Sequence, residues 1–221
     1  MIELGYAVHA AVFRRTEMQA IAAAIASASL RRSRAGARHI LGYAPIADLA
    51  RDARLIEIAS QWLGAPAIPF KATLFDKSPD ANWLVAWHQD TALPMLSRRE
   101  ADGWGPWSEK YGVTYAHAPA RVLSKIVALR VHLDDSTAEN GSLRVLPGTQ
   151  EHGVLTDAQV HEFTQRVLPV DCHVPAGGVI VMRPLVIHAS SKITSPIPRR
   201  VLHFEYSGSL ELEPGFMLRA A

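Results

Sequence analysis

From Pro69 onward the chain alternates short runs of β-branched and aromatic residues with turn formers, and this rhythm restricts the fold more than any other feature. The runs are Phe70–Phe75, Trp83–His88, Ile126–Leu133, Ser142–Leu146, Gly178–Met182 and Val201–Tyr206. Between them lie Ser78-Pro79-Asp80, Asn140-Gly141, Pro147-Gly148 and Ala176-Gly177-Gly178. Each run has strand length, and Gly, Pro and Asn supply the backbone angles of tight reversals. Ahead of them a short apolar run, Tyr6 to Phe13, precedes two helix signals. Thr16 with Gln19 has the form of a capping box opening an alanine-rich stretch to about Leu30. Asp52 opens a second helical run through Trp62 and Leu63, which Gly64 and Pro66 stop. Two helices followed by many short strands predict a mainly β domain with flanking helices, an antiparallel sandwich or jelly roll.

At 221 residues the chain suits one domain, 1–221, with a helical N-terminal part over 1–66 and a β core over 67–210. The segment 91–121 breaks the rhythm. It carries Trp104, Trp107, Tyr111 and Tyr115 among glycines without clear periodicity, and reads as a lid over a site or as an ordered surface insertion. A net charge of +2 with scattered basic residues disfavours a nucleic-acid surface. No stretch of about 18 apolar residues is present, so a soluble, cytoplasmic protein is expected. Cys172 is the single cysteine. Its neighbour His173 points to the opposite face of a strand, so a buried structural thiol is expected in place of a Cys/His nucleophile.

Alternation along a strand puts residues i and i+2 on one face, so His-x-Asp offers two metal ligands side by side. Two imidazoles and one carboxylate on one face leave open positions, the arrangement of non-haem Fe(II) oxygenases. With 10 histidines and 21 acidic residues in 221 positions, chance alone supplies about one His-x-acid pair; the chain has His88/Asp90, His132/Asp134 and His203/Glu205. His132 and Asp134 share a face with Arg130 opposite an apolar face, which predicts a half-buried strand with surface hydrogen bonds. His203 and Glu205 alternate with Leu202, Phe204 and Tyr206 and could line an interior. His88 and Asp90 end an apolar strand where the 91–121 segment begins, a place both rigid and accessible. His188, closing the apolar run from Gly177, is the candidate third ligand.

Trp87-His88-Gln89-Asp90, then Leu133-Asp134-Asp135 leading to Glu139-Asn140-Gly141-Ser142-Leu143-Arg144-Val145-Leu146-Pro147-Gly148-Thr149, then His188-Ala189-Ser190-Ser191 and Pro198-Arg199-Arg200 closely resemble the phytanoyl-CoA dioxygenase family, which includes ectoine hydroxylase. The resemblance runs in order over residues 70–206. It implies a double-stranded β-helix (a cupin-like jelly roll) and Fe(II) held by His88, Asp90 and His188. It also implies 2-oxoglutarate as co-substrate, and hydroxylation of a small molecule with O2 consumed and succinate and CO2 released. The family's co-substrate arginine falls on Arg199, with Arg200 the neighbouring alternative. A guanidinium matches a carboxylate in two parallel hydrogen bonds. Strand parity groups Arg199 with Val201, His203 and Glu205, leaving Arg200 with Leu202, Phe204 and Tyr206 toward the helices. Ser190, on the face of His188, resembles a family position at the same carboxylate. Lys71 and Thr73 are further cofactor-pocket candidates, Lys71 alternatively as a surface lysine. Lys77 is expected in a turn with a structural role. Many relatives carry a histidine where this chain has Gln150. A zinc hydrolase on the same ligands and a non-catalytic jelly-roll binding protein are the rival readings. Substrate and oligomeric state stay open.

Overall fold

The computed structural model describes residues 2–33 and 35–220 and is mainly β, with antiparallel sheets and flanking helices. The first third contributes strands β1 (Tyr6–His9), β2 (Arg32–Ser33) and β3 (Gly36–Arg38), and helices α1 (Arg15–Ser27), α2 (Ala44–Ala50) and α3 (Ala53–Leu63). Then follow β4 (Ile68–Lys77), β5 (Val85–His88), β6 (Ala92–Met95), β7 (Trp107–Lys110), β8 (Val113–His117), α4 (Ala120–Leu123), β9 (Ile126–His132) and β10 (Leu143–Leu146). The chain closes with α5 (Asp157–Arg166), β11 (Val170–Cys172), β12 (Val179–Met182), β13 (Ile187–Ser190), β14 (Arg199–Ser207), β15 (Glu211–Glu213) and β16 (Phe216–Met217). A seven-stranded sheet in the order β1-β12-β9-β14-β4-β3-β2 faces a four-stranded sheet in the order β11-β10-β13-β5. This is the expected jelly roll. Among the described residues no helix is long and apolar enough to cross a membrane.

The strands dictated by apolar runs form where expected, and the exceptions have local causes. β4 extends to Lys77 because Lys77 pairs in register with Arg199 at the start of β14. The part expected to be helical also supplies β1 and β3, which pair with β12 and β4. α2 is only seven residues long and begins Ala44-Pro45, where proline sacrifices no helical hydrogen bond. The capping box expected at Thr16 shifts by two positions. Glu17 accepts the Arg14 backbone N–H at 2.8 Å and also the Arg54 guanidinium at 2.9 Å. That tertiary pair fixes the helix start. At α3 the sequence signals hold: the Asp52 carboxylate caps Arg54 N–H, and Gly64 ends the helix at φ 68°.

The larger sheet is covered on both faces. Ala72, Leu74, Val127, Leu129, Leu202, Phe204 and Tyr206 pack outward against the buried stripes of α1, α2 and α3, among them Met18, Ile46, Leu55 and Trp62. Inward, Ala128, Ile180 and Met182 meet Leu143, Val145 and Cys172 of the smaller sheet. α5 covers the outer side of that smaller sheet through Val160 and Phe163. Every residue of β9 is therefore buried, including His132 at 0% exposure, and the expected surface role for His132 is incorrect. Its face looks into the interior between two sheets, not to solvent.

The 91–121 segment is not structureless. Its strands form a three-stranded antiparallel sheet in the order β6-β8-β7, and Trp104 of the same segment stacks on Phe216 at 4.2 Å and donates to Glu213. Sequence periodicity missed it because its strands are four or five residues long and its apolar residues pack on the C-terminal hairpin β15–β16. Truncating Phe204, fully buried between helices and sheet, should cost about 3–5 kcal/mol in Phe204→Ala, measured by denaturant unfolding.

Candidate metal centre and co-substrate pocket

The two histidines are cross-strand neighbours, His88 on β5 pairing in register with His188 on β13, and their ring centroids lie 4.3 Å apart. Each Nδ1 lies on a backbone carbonyl two residues earlier: His88 on Ala86 at 2.8 Å, His188 on Val186 at 2.9 Å. A carbonyl only accepts, so each Nδ1 carries the proton and each Nε2 is left with a lone pair. Both Nε2 atoms flank Asp90, with His88 Nε2 3.6 Å from Oδ1 and His188 Nε2 3.5 Å from Oδ2. These spacings are long for hydrogen bonds and suit three ligand atoms about 2 Å from one shared ion. Among the described residues, this is the group of His, Cys, Asp and Glu side chains found with ligand atoms all within 4.8 Å of one another.

Backbone ties hold the triad. Asp90 N–H donates to Pro184 O at 2.9 Å. Gln89, on the opposite face, donates to Gly153 O and Leu185 O and accepts from Leu155 N–H. His188 is buried at 4% side-chain exposure, while His88 and Asp90 are open at 39% and 41%. Burial holds His188 down, to about 4, against the pull of Asp90. Burial also opposes ionisation of Asp90, but His188 and His88 outweigh it and hold the carboxyl well below its usual range. For His88 burial is outweighed by the neighbouring Asp90 carboxylate and the Ala86 carbonyl, and its pKa is raised.

The triad opens on a cavity of about 520 Å³ between the sheets. Lys71, Thr73, Phe75 and Lys77 line it from alternate positions of β4, and Arg199, His203 and Glu205 from β14. Arg199 is 2% exposed; its Nε donates to Asn140 O at 3.1 Å, its Nη2 to Ser190 Oγ at 3.1 Å, and its buried Nη1 has no partner. Arg200 turns the other way and is locked onto Asp134 by two bonds of 2.8 Å. The structure thus brings His88, Asp90, His188, Arg199, Ser190, Lys71 and Thr73 to one cavity and leaves Arg200 outside it.

Lys71 is ion-paired within the cavity: Glu205 accepts from its ammonium at 2.6 Å, and His203 Nε2 lies 3.3 Å from the same oxygen. The sequence reading missed Lys77 and Arg130. Lys77 is fully buried at the end of β4, and burial, with Arg199 and Arg130 nearby, pushes its pKa down to about 7. The i+2 alternation Lys71-Thr73-Phe75-Lys77 was the signal that could have found it. Burial lifts the Cys172 thiol to about 12, as befits an inert structural residue. A second cavity of about 420 Å³ adjoins the first, sharing Arg38 and Lys71, and takes Pro94, Tyr111 and Val113 from the 91–121 segment.

Residues 2–201 match the family profile described as phytanoyl-CoA dioxygenase (PhyH). The chain belongs to the phytanoyl-CoA dioxygenase family. An L-proline trans-4-hydroxylase from Streptomyces griseoviridis is 28% identical over 73% of this chain; the match spans 62% of that relative's length. Among solved structures, EctD from S. alaskensis with 2-oxoglutarate and 5-hydroxyectoine is 21% identical and superposes with a TM-score of 0.71 over 93% of this chain and 72% of that one. The epimerase SnoN in complex with Fe3+, alpha ketoglutarate and nogalamycin RO is 19% identical, with a TM-score of 0.71 over 95% of this chain and 81% of that one. These likenesses support the jelly-roll fold.

His188→Ala should lower affinity for a divalent ion by more than about 100-fold in calorimetric titration with Co(II), because it removes a ligand and not merely its support. His132→Ala, which removes a histidine outside the triad, should leave that affinity within about threefold of the wild type; the reverse ranking would place the metal elsewhere.

Proposed function

We propose that this protein is an Fe(II)- and 2-oxoglutarate-dependent dioxygenase that hydroxylates a small organic molecule, with O2 consumed and succinate and CO2 released. The observation that carries the reading is a three-ligand metal face sharing one cavity with a buried, incompletely bonded arginine. Two neutral imidazoles and one carboxylate suit iron and leave part of its coordination sphere open. The cavity is also unbalanced in charge, since Arg38, Lys71, Lys77, Arg130 and Arg199 line it against only Asp90 and Glu205. A dianionic co-substrate answers that excess. The relatives solved with 2-oxoglutarate or iron bound support the same reading.

His88, Asp90 and His188 would hold the iron, which supplies the oxygen-activating chemistry when bound. The protein's own part is positional. The Ala86 and Val186 carbonyls keep both imidazoles in the ligating tautomer. Arg199 offers its free Nη1 to the far carboxylate of 2-oxoglutarate. Ser190 lies two residues along β13 from His188, about 6.6 Å away at strand rise, a gap that a five-carbon diacid spans. Thr73 and the Lys71–Glu205 pair wall the cavity. In this reading the 91–121 segment serves as a wall of the substrate approach, through Pro94, Tyr111 and Val113. The similarity to an L-proline hydroxylase and to the EctD complex with 5-hydroxyectoine supports screening small polar molecules first.

Anaerobic addition of 2-oxoglutarate to the Fe(II)-loaded protein should produce a metal-to-ligand charge-transfer band. Folded, iron-loaded protein without that band would remove the dioxygenase reading. Arg199→Met should raise the 2-oxoglutarate concentration needed for half of the band by about 10- to 100-fold, the effect of losing a charge-assisted hydrogen bond. Arg200→Met should leave it unchanged.

A further inference from the structure

The second cavity, about 420 Å³, is lined by one sign of charge. Arg31, Arg32, Arg38, Lys71 and Arg219 reach it, and among the described residues no acid lines it. Two of these cations are paired with acids outside the lining, Arg32 with Asp76 at 2.7 Å and Lys71 with Glu205 at 2.6 Å. Arg31 lies over the Tyr111 ring at 4.9 Å, and Arg219 gives Nη1 to Gly112 O at 3.1 Å. Arg38 has no ion-pair or hydrogen-bond partner for its guanidinium among the described residues, and it borders both cavities. A concave wall of a single sign concentrates ligands of the other sign.

Sheet register sets where such a ligand lies. Arg38 on β3 pairs with Thr73 on β4, Thr73 with His203 on β14, and His203 with Arg130 on β9. The four side chains form one row across the cavity wall, and His203 shares a narrow cleft with Asp90. Arg38 therefore stands at the outer end of a row that runs to the metal face. Lys77 and Arg199 pair four residues further along β4, about 13 Å away at strand rise. A five-carbon diacid held at Arg199 covers about half of that distance and leaves Arg38 unanswered. Beyond Arg38 the second cavity has an apolar wall, Phe70, Pro94 and Val113, and a corner where His39 meets the Tyr115 hydroxyl at 3.2 Å. Burial, and then the charges of Lys71, Arg38 and Arg219, push the His39 pKa down, so these cations crowd around one imidazole.

We propose that the second cavity seats the anionic group of the substrate, a carboxylate or phosphate held by Arg38 and Arg219, with its carbon body on Phe70, Pro94 and Val113. The proposal rests on the dioxygenase reading only in naming the occupant a substrate. It narrows the substrate class to small organic acids with an apolar body, and it disfavours neutral and cationic molecules of the same size. A guanidinium fork suits either headgroup. With the headgroup at Arg38, the row through Thr73 and His203 leads the rest of the molecule toward the metal face.

The test uses protein loaded with Zn(II), a redox-inert stand-in for iron, and saturated with 2-oxoglutarate so that Arg199 is occupied. Ligand-observed NMR then measures binding of phenylacetate, phenyl phosphate and the neutral phenylacetamide. The wild type should bind an acid at least about 10-fold more tightly than the amide, and the tighter acid names the headgroup. Arg38→Met should reduce that preference by about 10-fold or more, through weaker acid binding with the amide unchanged. Arg219→Met should act in the same direction. Arg51→Met removes an exposed charge just beyond α2 and should leave the preference intact. Should Arg38→Met fail to fold, Arg38→Gln is read in the same way. Acids bound no better than the amide, a preference that survives both Arg38→Met and Arg219→Met, or one lost equally in Arg51→Met, overturns the proposal. An iron-loaded wild type without the charge-transfer band, but with Arg38-dependent acid binding, removes the dioxygenase reading and keeps the anion site. A band without Arg38-dependent acid binding overturns this proposal alone.

Discussion

Side-chain alternation along β14 joins the packing of this protein to its chemistry. Leu202, Phe204 and Tyr206 point into the helix layer, and Arg199, His203 and Glu205 point into the cavity. A strand can hold charged groups inward only if its other face is anchored firmly enough to offset their burial. Tyr206 strengthens that anchor by donating its hydroxyl hydrogen to Ala50 O at the end of α2. A slip of one residue would exchange the two sets and lose both core and pocket. β14 lies between β9 and β4, so its register also fixes those of Arg130, Lys71 and Lys77.

The metal face obeys a second constraint, set by the smaller sheet. His88 and His188 come from strands remote in sequence, yet direct pairing of β5 with β13 puts their imidazoles together before any ion arrives. Their Nδ1 contacts are to carbonyls of the same strands, so the ligating tautomers are a property of the backbone. Preorganisation of this kind lowers the ordering cost of binding a metal. The cavity wall works the other way. It gathers five basic side chains against two acids, an arrangement that costs stability and favours an anionic occupant.

In the proposed reading, the choice of substrate falls to the part of the molecule beyond the triad. The second cavity, next to the first and sharing Arg38 and Lys71 with it, is bounded by the three-stranded sheet of the 91–121 segment and by the β2–β3 region. β6, β7 and β8 lie outside the two main sheets, with Trp104 and Phe216 in a small core of their own, while β2 and β3 form the edge of the larger sheet. Loops and annexes on a rigid scaffold can change without disturbing the residues of the proposed metal centre.

The sequence by itself determined the β-rich fold class, α3 with both its caps, and the side-by-side placement of His88 and Asp90, one of three such pairs. Each of these is a local pattern: a run length, a capping residue, or an i,i+2 spacing on one strand. Parity along β14 was legible for the same reason, and Arg199 and Arg200 go to the sides it predicted. Tertiary structure alone decided the rest. That His132 is buried follows from β9 lying between a helix layer and a second sheet, which no half-apolar pattern announces. That Glu17 and not Gln19 serves the start of α1 follows from Arg54, 37 residues away in the chain. That Lys77 belongs to the pocket follows from its pairing with Arg199 across two strands. The physical reason is common to all three: spacing along a chain fixes which way a side chain points, but only pairing and burial fix what it points at.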